Sequence, residues 1–130
     1  MKQLKKHAFK ALLVDDDPVM CLIVPTILHR LGHSVNIAEN GTEAIKLFTR
    51  KPYAFDVVIT DNNMPAVSGL DLVEHLRKNG FHGTVVVFSD VLTSELQTAH
   101  QKRSVNKILQ KTATVENLSL ALSEIFSDLH

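Results

Sequence analysis

Cysteine is almost missing from this sequence. Cys21 is the only one in 130 residues, so no internal disulfide can form and a reducing compartment, the cytoplasm, is the expected setting. A surplus of one charge is missing too. Fourteen Lys and Arg balance 14 Asp and Glu. Without a basic surplus, direct nucleic-acid binding is not the expected task. No apolar run approaches the ~18 residues of a membrane span, so no membrane partner is expected. No hydrophobic stretch precedes Phe9, so a secretory signal is not expected either. Internal repeats and low-complexity segments are also absent.

The remaining composition fits one globular domain. Hydrophobic residues make up 45% and charged residues 22%, close to soluble-domain averages. A chain this long buries about two-thirds of its unfolded surface, enough for a core without staples. The charge is unevenly placed. Lys2, Lys5, Lys6 and Lys10 give the first ten residues +4, leaving −4 on the other 120. The division expected is a basic tail over 1–8 and one folded domain over 9–130.

Short apolar runs alternate with helical periodicity. Strands are expected over Lys10–Val14, Ser34–Ala38, Phe55–Thr60, Thr84–Phe88 and Asn106–Leu109. Between them Met20, Ile23, Val24, Ile27, Leu28 and Leu31 mark one helix face, stopped by Gly32 and bent near Cys21 by Pro25. Further helices are expected over Thr42–Arg50, Ser68–Asn79, Thr93–Lys102 and Val115–Leu129, the fourth being weakly amphipathic. Strand–helix alternation implies right-handed crossovers and an α/β, doubly wound parallel sheet. Sites in such folds lie outside the carboxyl ends of the strands.

The polar residues at those strand ends are Asp15 and Asp16, Asp61, Ser89 and Asp90, and Lys111. Each alone has a plainer reading. Asp17 before Pro18 looks like a helix N-cap, for example. Together they gather carboxylates, a hydroxyl and an amine on one sheet edge. Two carboxylates ~5 Å apart repel by about 3 kcal/mol at an effective dielectric of 20, so such a cluster needs cations. Hard oxygen ligands suit Mg²⁺, and Mg²⁺ with a lysine and a hydroxyl suits a phosphoryl group. An aspartate can itself be the nucleophile.

At this point the sequence resembles the receiver domain of two-component response regulators, in particular single-domain chemotaxis regulators. The resemblance rests on Leu-Leu-Val-Asp-Asp-Asp-Pro at 12–18, Asn40-Gly41-Thr-Glu-Ala44, and Val58-Ile-Thr-Asp-Asn-Asn-Met-Pro65 with Gly69. Ser89 and Lys111 complete it. The resemblance implies a five-stranded sheet of flavodoxin-like order 2-1-3-4-5 with five helices. It implies Asp61 as phosphoacceptor, fed by a histidine kinase or histidine phosphotransfer protein. It implies Mg²⁺ held by Asp15, Asp16, Asp61 and the backbone carbonyl of Asn63. Ser89 and Lys111 would bond the phosphoryl oxygens. Catalysis would be limited to the domain's own phosphorylation and dephosphorylation. The output would be a shape change; the weak amphipathicity of Thr93–Lys102 suggests that a downstream protein reads it on the fourth helix, fifth strand and last helix.

Four positions depart from the family pattern. Ile108 stands where Tyr or Phe is usual, so no ring with a polar tip can swing inward. Thr112 follows Lys111 where proline is usual, which predicts a trans bond there. Asp90 replaces a small residue and adds a carboxylate at the mouth. Ser68 replaces a common Asp and still caps a helix. Asn63 and Val91, two residues past the phosphoacceptor and the hydroxyl, predict an intermediate phosphoryl lifetime. Cys21 is expected to pack on the first helix. His29 and His33 are expected to be no metal pair, because Gly32 ends the helix between them.

Two other readings remain open at this level. Asp15-Asp16-Asp17-Pro18-Val19 also resembles the opening of haloacid-dehalogenase-type phosphatases, with Asp15 as nucleophile and Asp17 as general acid. The chain could also serve as a phosphate-independent, receiver-like interaction module.

Overall fold

A computed structural model describes residues 8–111 and 114–129. The expected tail, almost all within residues 1–7, and the bond between Lys111 and Thr112 lie outside the described residues. The elements alternate as the apolar pattern requires: β1 (Lys10–Val14), α1 (Pro18–Arg30), β2 (Ser34–Ala38), α2 (Gly41–Arg50), β3 (Val57–Asp61), α3 (Gly69–Lys78), β4 (Thr84–Ser89), α4 (Ser94–Lys102), β5 (Lys107–Gln110) and α5 (Val115–Ser127). The five strands form one parallel sheet in the order β2-β1-β3-β4-β5.

Local chemistry sets the helix ends. Asp17 Oδ1 accepts the Val19 N–H at 3.0 Å, and Pro18 opens α1 as the sequence suggested. Asn40, Ser68, Thr93 and Thr114 cap the other four helices in the same way. Gly32, at φ 91°, follows the end of α1 in the left-handed conformation that glycine adopts without strain. α1 runs on through Pro25, whose ring removes the donor for the Cys21 carbonyl without ending the helix.

Three strands are displaced from the expected boundaries. β3 is Val57–Asp61 rather than Phe55–Thr60, β4 reaches Ser89, and β5 is Lys107–Gln110 rather than Asn106–Leu109. The ladder explains this. Asp61 pairs with Phe88 and Ser89 pairs with Gln110, so pairing continues one residue past the apolar run. Two site residues are therefore held by sheet backbone and not by loops.

Each face of the sheet carries its own core. Ala11, Leu13, Val57, Ile59, Val86 and Phe88 pack against α1 and α5. Leu12, Val14, Val58, Val85 and Val87 pack against α2 and α3. The alternation along β1, β3 and β4 sends successive side chains to opposite faces, as the strand period demands.

Candidate functional site

β1 and β3 are adjacent central strands, and both end at the same edge. Strands lie ~4.8 Å apart, so polar residues at neighbouring strand ends must meet. Asp15 follows β1, its N–H donating to the Ala38 carbonyl at 3.1 Å. Asp61 closes β3. One carboxylate oxygen each from Asp15, Asp16 and Asp61 lies within 4.8 Å of the others. Asp15 and Asp61 are buried, at 0% and 6% exposure, and Asp16 is exposed. Gly69 permits this arrangement. A Cβ there would come within 2.7 Å of the Asp61 carbonyl and 2.8 Å of Asn62 Cα, so α3 can start this close only with glycine.

Lys111 arrives from beyond β5. Its N–H donates to the Ser89 carbonyl at 2.8 Å, which continues the β4–β5 ladder. Its Nζ then lies 3.1 Å from Asp61 Oδ2 and 3.3 Å from Asp15 Oδ1, hydrogen-bonded to both. Asp15 Oδ2 is also 3.1 Å from Nζ, close enough for charge pairing, yet it accepts no hydrogen bond. Burial alone would lower the lysine amine. The hydrogen bonds to Asp61 and Asp15 outweigh it and hold the amine above its usual range. Asp15 is pushed up, chiefly by burial, against the opposing pull of the Asp17 N–H and Lys111.

The other expected participants are placed as follows. The Asn63 N–H donates to Asp61 Oδ1 at 3.2 Å. The Ser89 hydroxyl is turned to its own loop, donating to the Val91 carbonyl at 2.7 Å and accepting from the Val91 N–H at 3.3 Å. It must rotate to serve a group on Asp61. Ile108 is half-buried on the α2–α3 side of the sheet. Asp90 is exposed. Asp17 is spent on capping α1 and sits 3.9 Å from Lys111. The Cys21 thiol donates to the Asp15 carbonyl at 3.2 Å and packs against the α1–α5 core, as expected. His33 Nδ1 accepts the Phe9 N–H at 3.0 Å.

The donor set fits a small hard cation. Three carboxylates and one amine, when ionised, leave two net negative charges. The three carboxylate oxygens within 4.8 Å of one another are hard donors of the kind Mg²⁺ takes, and Asp15, Asp16 and Asp61 would hold such an ion. The buried Asp15 Oδ2 accepts no hydrogen bond and has the Lys111 amine 3.1 Å away as its charge partner, so it would keep a lone pair for a cation.

The comparison with known families decides between the readings. The family profile of the response regulator receiver domain matches residues 11–123. The chain belongs to the response regulator receiver family. Receivers are the phosphoacceptor signalling domains of two-component systems, and that is the function of this chain. A chemotaxis protein CheY homolog of Campylobacter jejuni is 36% identical over 120 residues, covering 89% of this receiver and 91% of the relative. A probable histidine kinase 1 of Oryza sativa subsp. indica is 27% identical over 126 residues, but the receiver spans only 12% of its length. A receiver domain structure from Clostridium thermocellum superposes with a TM-score of 0.76 at 28% identity, covering 92% of this chain and 95% of the other. The phosphatase and phosphate-independent readings are not favoured.

The receiver also holds a contact that sequence reasoning missed. His100, in α4, is fully buried, and its Nε2 lies 2.8 Å from Asn62 Oδ1. Asn62 Nδ2 donates to Asn63 Oδ1 at 3.3 Å, which leaves Oδ1 to accept from the imidazole. Burial, and then the charge of Arg103, push the imidazole below its usual range and favour its neutral form. Nothing in the sequence separates His100 from the other six histidines.

Proposed function

We propose that Asp61 is the phosphoacceptor and that Asp15, Asp16, Asp61 and the Asn63 carbonyl hold Mg²⁺. The observation that carries this reading is the Lys111 amine shared between buried Asp61 and Asp15 at 3.1 and 3.3 Å. When bound, Mg²⁺ would neutralise the charge of the phosphoryl oxygens. Asp61 attacks the phosphorus of the donor, forming a P–O bond as the P–N bond to a donor histidine breaks. Phosphorylation adds about −1.5 to −2 charges and three acceptor oxygens. Lys111 then follows the new charge, and Ser89 leaves the Val91 carbonyl to donate to a phosphoryl oxygen.

The donor in this reading is a histidine kinase or histidine phosphotransfer protein, and the output is a protein target bound on α4, β5 and α5. Relatives include a histidine kinase and a short CheY homolog, which supports both a fused and a free form of this module. Residues 9–130 act as one receiver domain behind a basic tail. The chain turns over no substrate beyond its own phosphoryl group. A cytoplasmic location belongs to the same reading. It is supported by the single thiol.

Intact mass after incubation with phosphoramidate and Mg²⁺ tests the proposal. One phosphoryl adduct is expected, lost without Mg²⁺ and lost in Asp61→Asn. An adduct that survives Asp61→Asn, or none with either phosphoramidate or a phosphohistidine donor, would overturn it.

A further inference from the structure

We infer that the His100–Asn62 hydrogen bond is the contact through which α4 and the phosphoacceptor segment sense each other. The inference rests on the proposed function, because it needs Asp61 to be the residue that changes.

α4 is fastened differently from its neighbours. Among the described residues, His100 is its only buried side chain. A shift of that imidazole is therefore felt by the whole helix. It bonds at 2.8 Å to the residue directly after Asp61. No other side-chain hydrogen bond among the described residues joins α4 to the carboxyl edge of the sheet.

The other end of the contact is equally well held. The Asn62 N–H donates to the Phe88 carbonyl at 2.8 Å, and its carbonyl accepts the Gly69 N–H at 2.9 Å. Its side-chain amide donates to Asn63. Asn63 in turn donates its N–H to the Asp61 carboxylate. Asp61, Asn62 and Asn63 thus form one hydrogen-bonded segment. A phosphoryl group on Asp61 competes for the carboxylate oxygen that the Asn63 N–H binds. That competition moves the segment, and with it the oxygen that receives the imidazole.

A polar contact suits this task for a geometric reason. A hydrogen bond between fixed groups weakens steeply with misalignment, whereas apolar contact tolerates sliding. A small rotation of Asn62 therefore changes how well α4 is held. The inward-swinging ring of other receivers is unavailable at Ile108, and His100–Asn62 supplies another link between site and surface.

Amide hydrogen exchange on the full chain, with and without phosphoramidate and Mg²⁺, tests the inference. In the wild type, exchange over residues 94–102 should change several-fold on phosphorylation. In His100→Leu the adduct should still form on Asp61, while the α4 response falls at least threefold. His100→Gln, whose amide can donate to the same oxygen, should restore much of the response. A role limited to filling space predicts no rescue by glutamine over leucine, because both side chains fill a comparable volume. Asn62→Ala provides the same test from the half-buried turn after β3, with retention of the fold checked by circular dichroism. A wild-type adduct without an α4 response, or an unchanged response in His100→Leu and Asn62→Ala, would overturn the inference. Absence of any adduct on the wild type would instead overturn the proposed function.

Discussion

α3 and α4 flank β4 in sequence and have nearly equal lengths, ten and nine residues, yet they are anchored in opposite ways. α3 buries Leu72, Val73 and Leu76 against the sheet. Full burial of each such side chain is worth about 1.5–3 kcal/mol. α4 buries only His100, whose Nδ1 has no hydrogen-bond partner. An unpaired buried polar atom costs about 1–3 kcal/mol, which offsets much of what its Nε2 bond contributes. The difference separates two tasks. The helix whose first residue abuts Asp61 is held by apolar area and keeps the site in shape. α4 buries one polar side chain and is held in large part by a directional bond, which suits the low-stability end of the molecule.

The comparison can be broken most directly by truncation. Leu76→Ala should cost about 2–5 kcal/mol in urea unfolding, because it leaves a cavity in the α3 core. Leu96→Ala, at a half-buried position of α4, should cost less than about 1 kcal/mol. Equal costs would mean that α4 is anchored as firmly as α3.

The next effect lies at the site. Lys111→Met leaves buried Asp15 facing Asp61 without a counter-charge, and should destabilise the chain by on the order of 3 kcal/mol in EDTA. Mg²⁺ should recover most of that loss, since a ligand at a hundredfold its Kd adds about 2.7 kcal/mol. Urea midpoints with EDTA and with Mg²⁺ check both numbers. A variant as stable as the wild type in EDTA would mean that Lys111 does not hold the carboxylates together.

The smallest effect sharpens the account of α4. An unfolded histidine protonates near 6.5, and His100 resists protonation to lower pH because of burial and then Arg103. Below 6.5 the unfolded chain therefore holds more protons than the folded one, and stability falls as pH drops through that value. The slope is at most ~1.4 kcal/mol per pH unit. Urea midpoints at about pH 7.5 and about pH 5.5 should differ more in the wild type than in His100→Gln. Equal differences would exclude His100 as the source.

Much of this was legible in advance because it is local. The caps Asp17 and Ser68 and the glycine stop at Gly32 follow from short-range chemistry, and the structure agrees at each. The candidate residues Asp15, Asp16, Asp61, Ser89 and Lys111 were identifiable because each stands at the end of an apolar strand run. The apolar runs end one residue before Asp61 and Ser89, whereas backbone pairing includes both.

By itself, then, the sequence determined the alternation of elements, the parallel sheet and the edge where charge gathers. Periodicity and capping act over a few residues, and parallel order turns strand ends into one edge. Only the tertiary structure decided that Lys111 is shared by Asp61 and Asp15, that Ser89 is turned to Val91, and that His100 meets Asn62. His100 and Asn62 are 38 residues apart. Their meeting depends on how α4 crosses the sheet, and no local periodicity encodes which of seven histidines will face inward there.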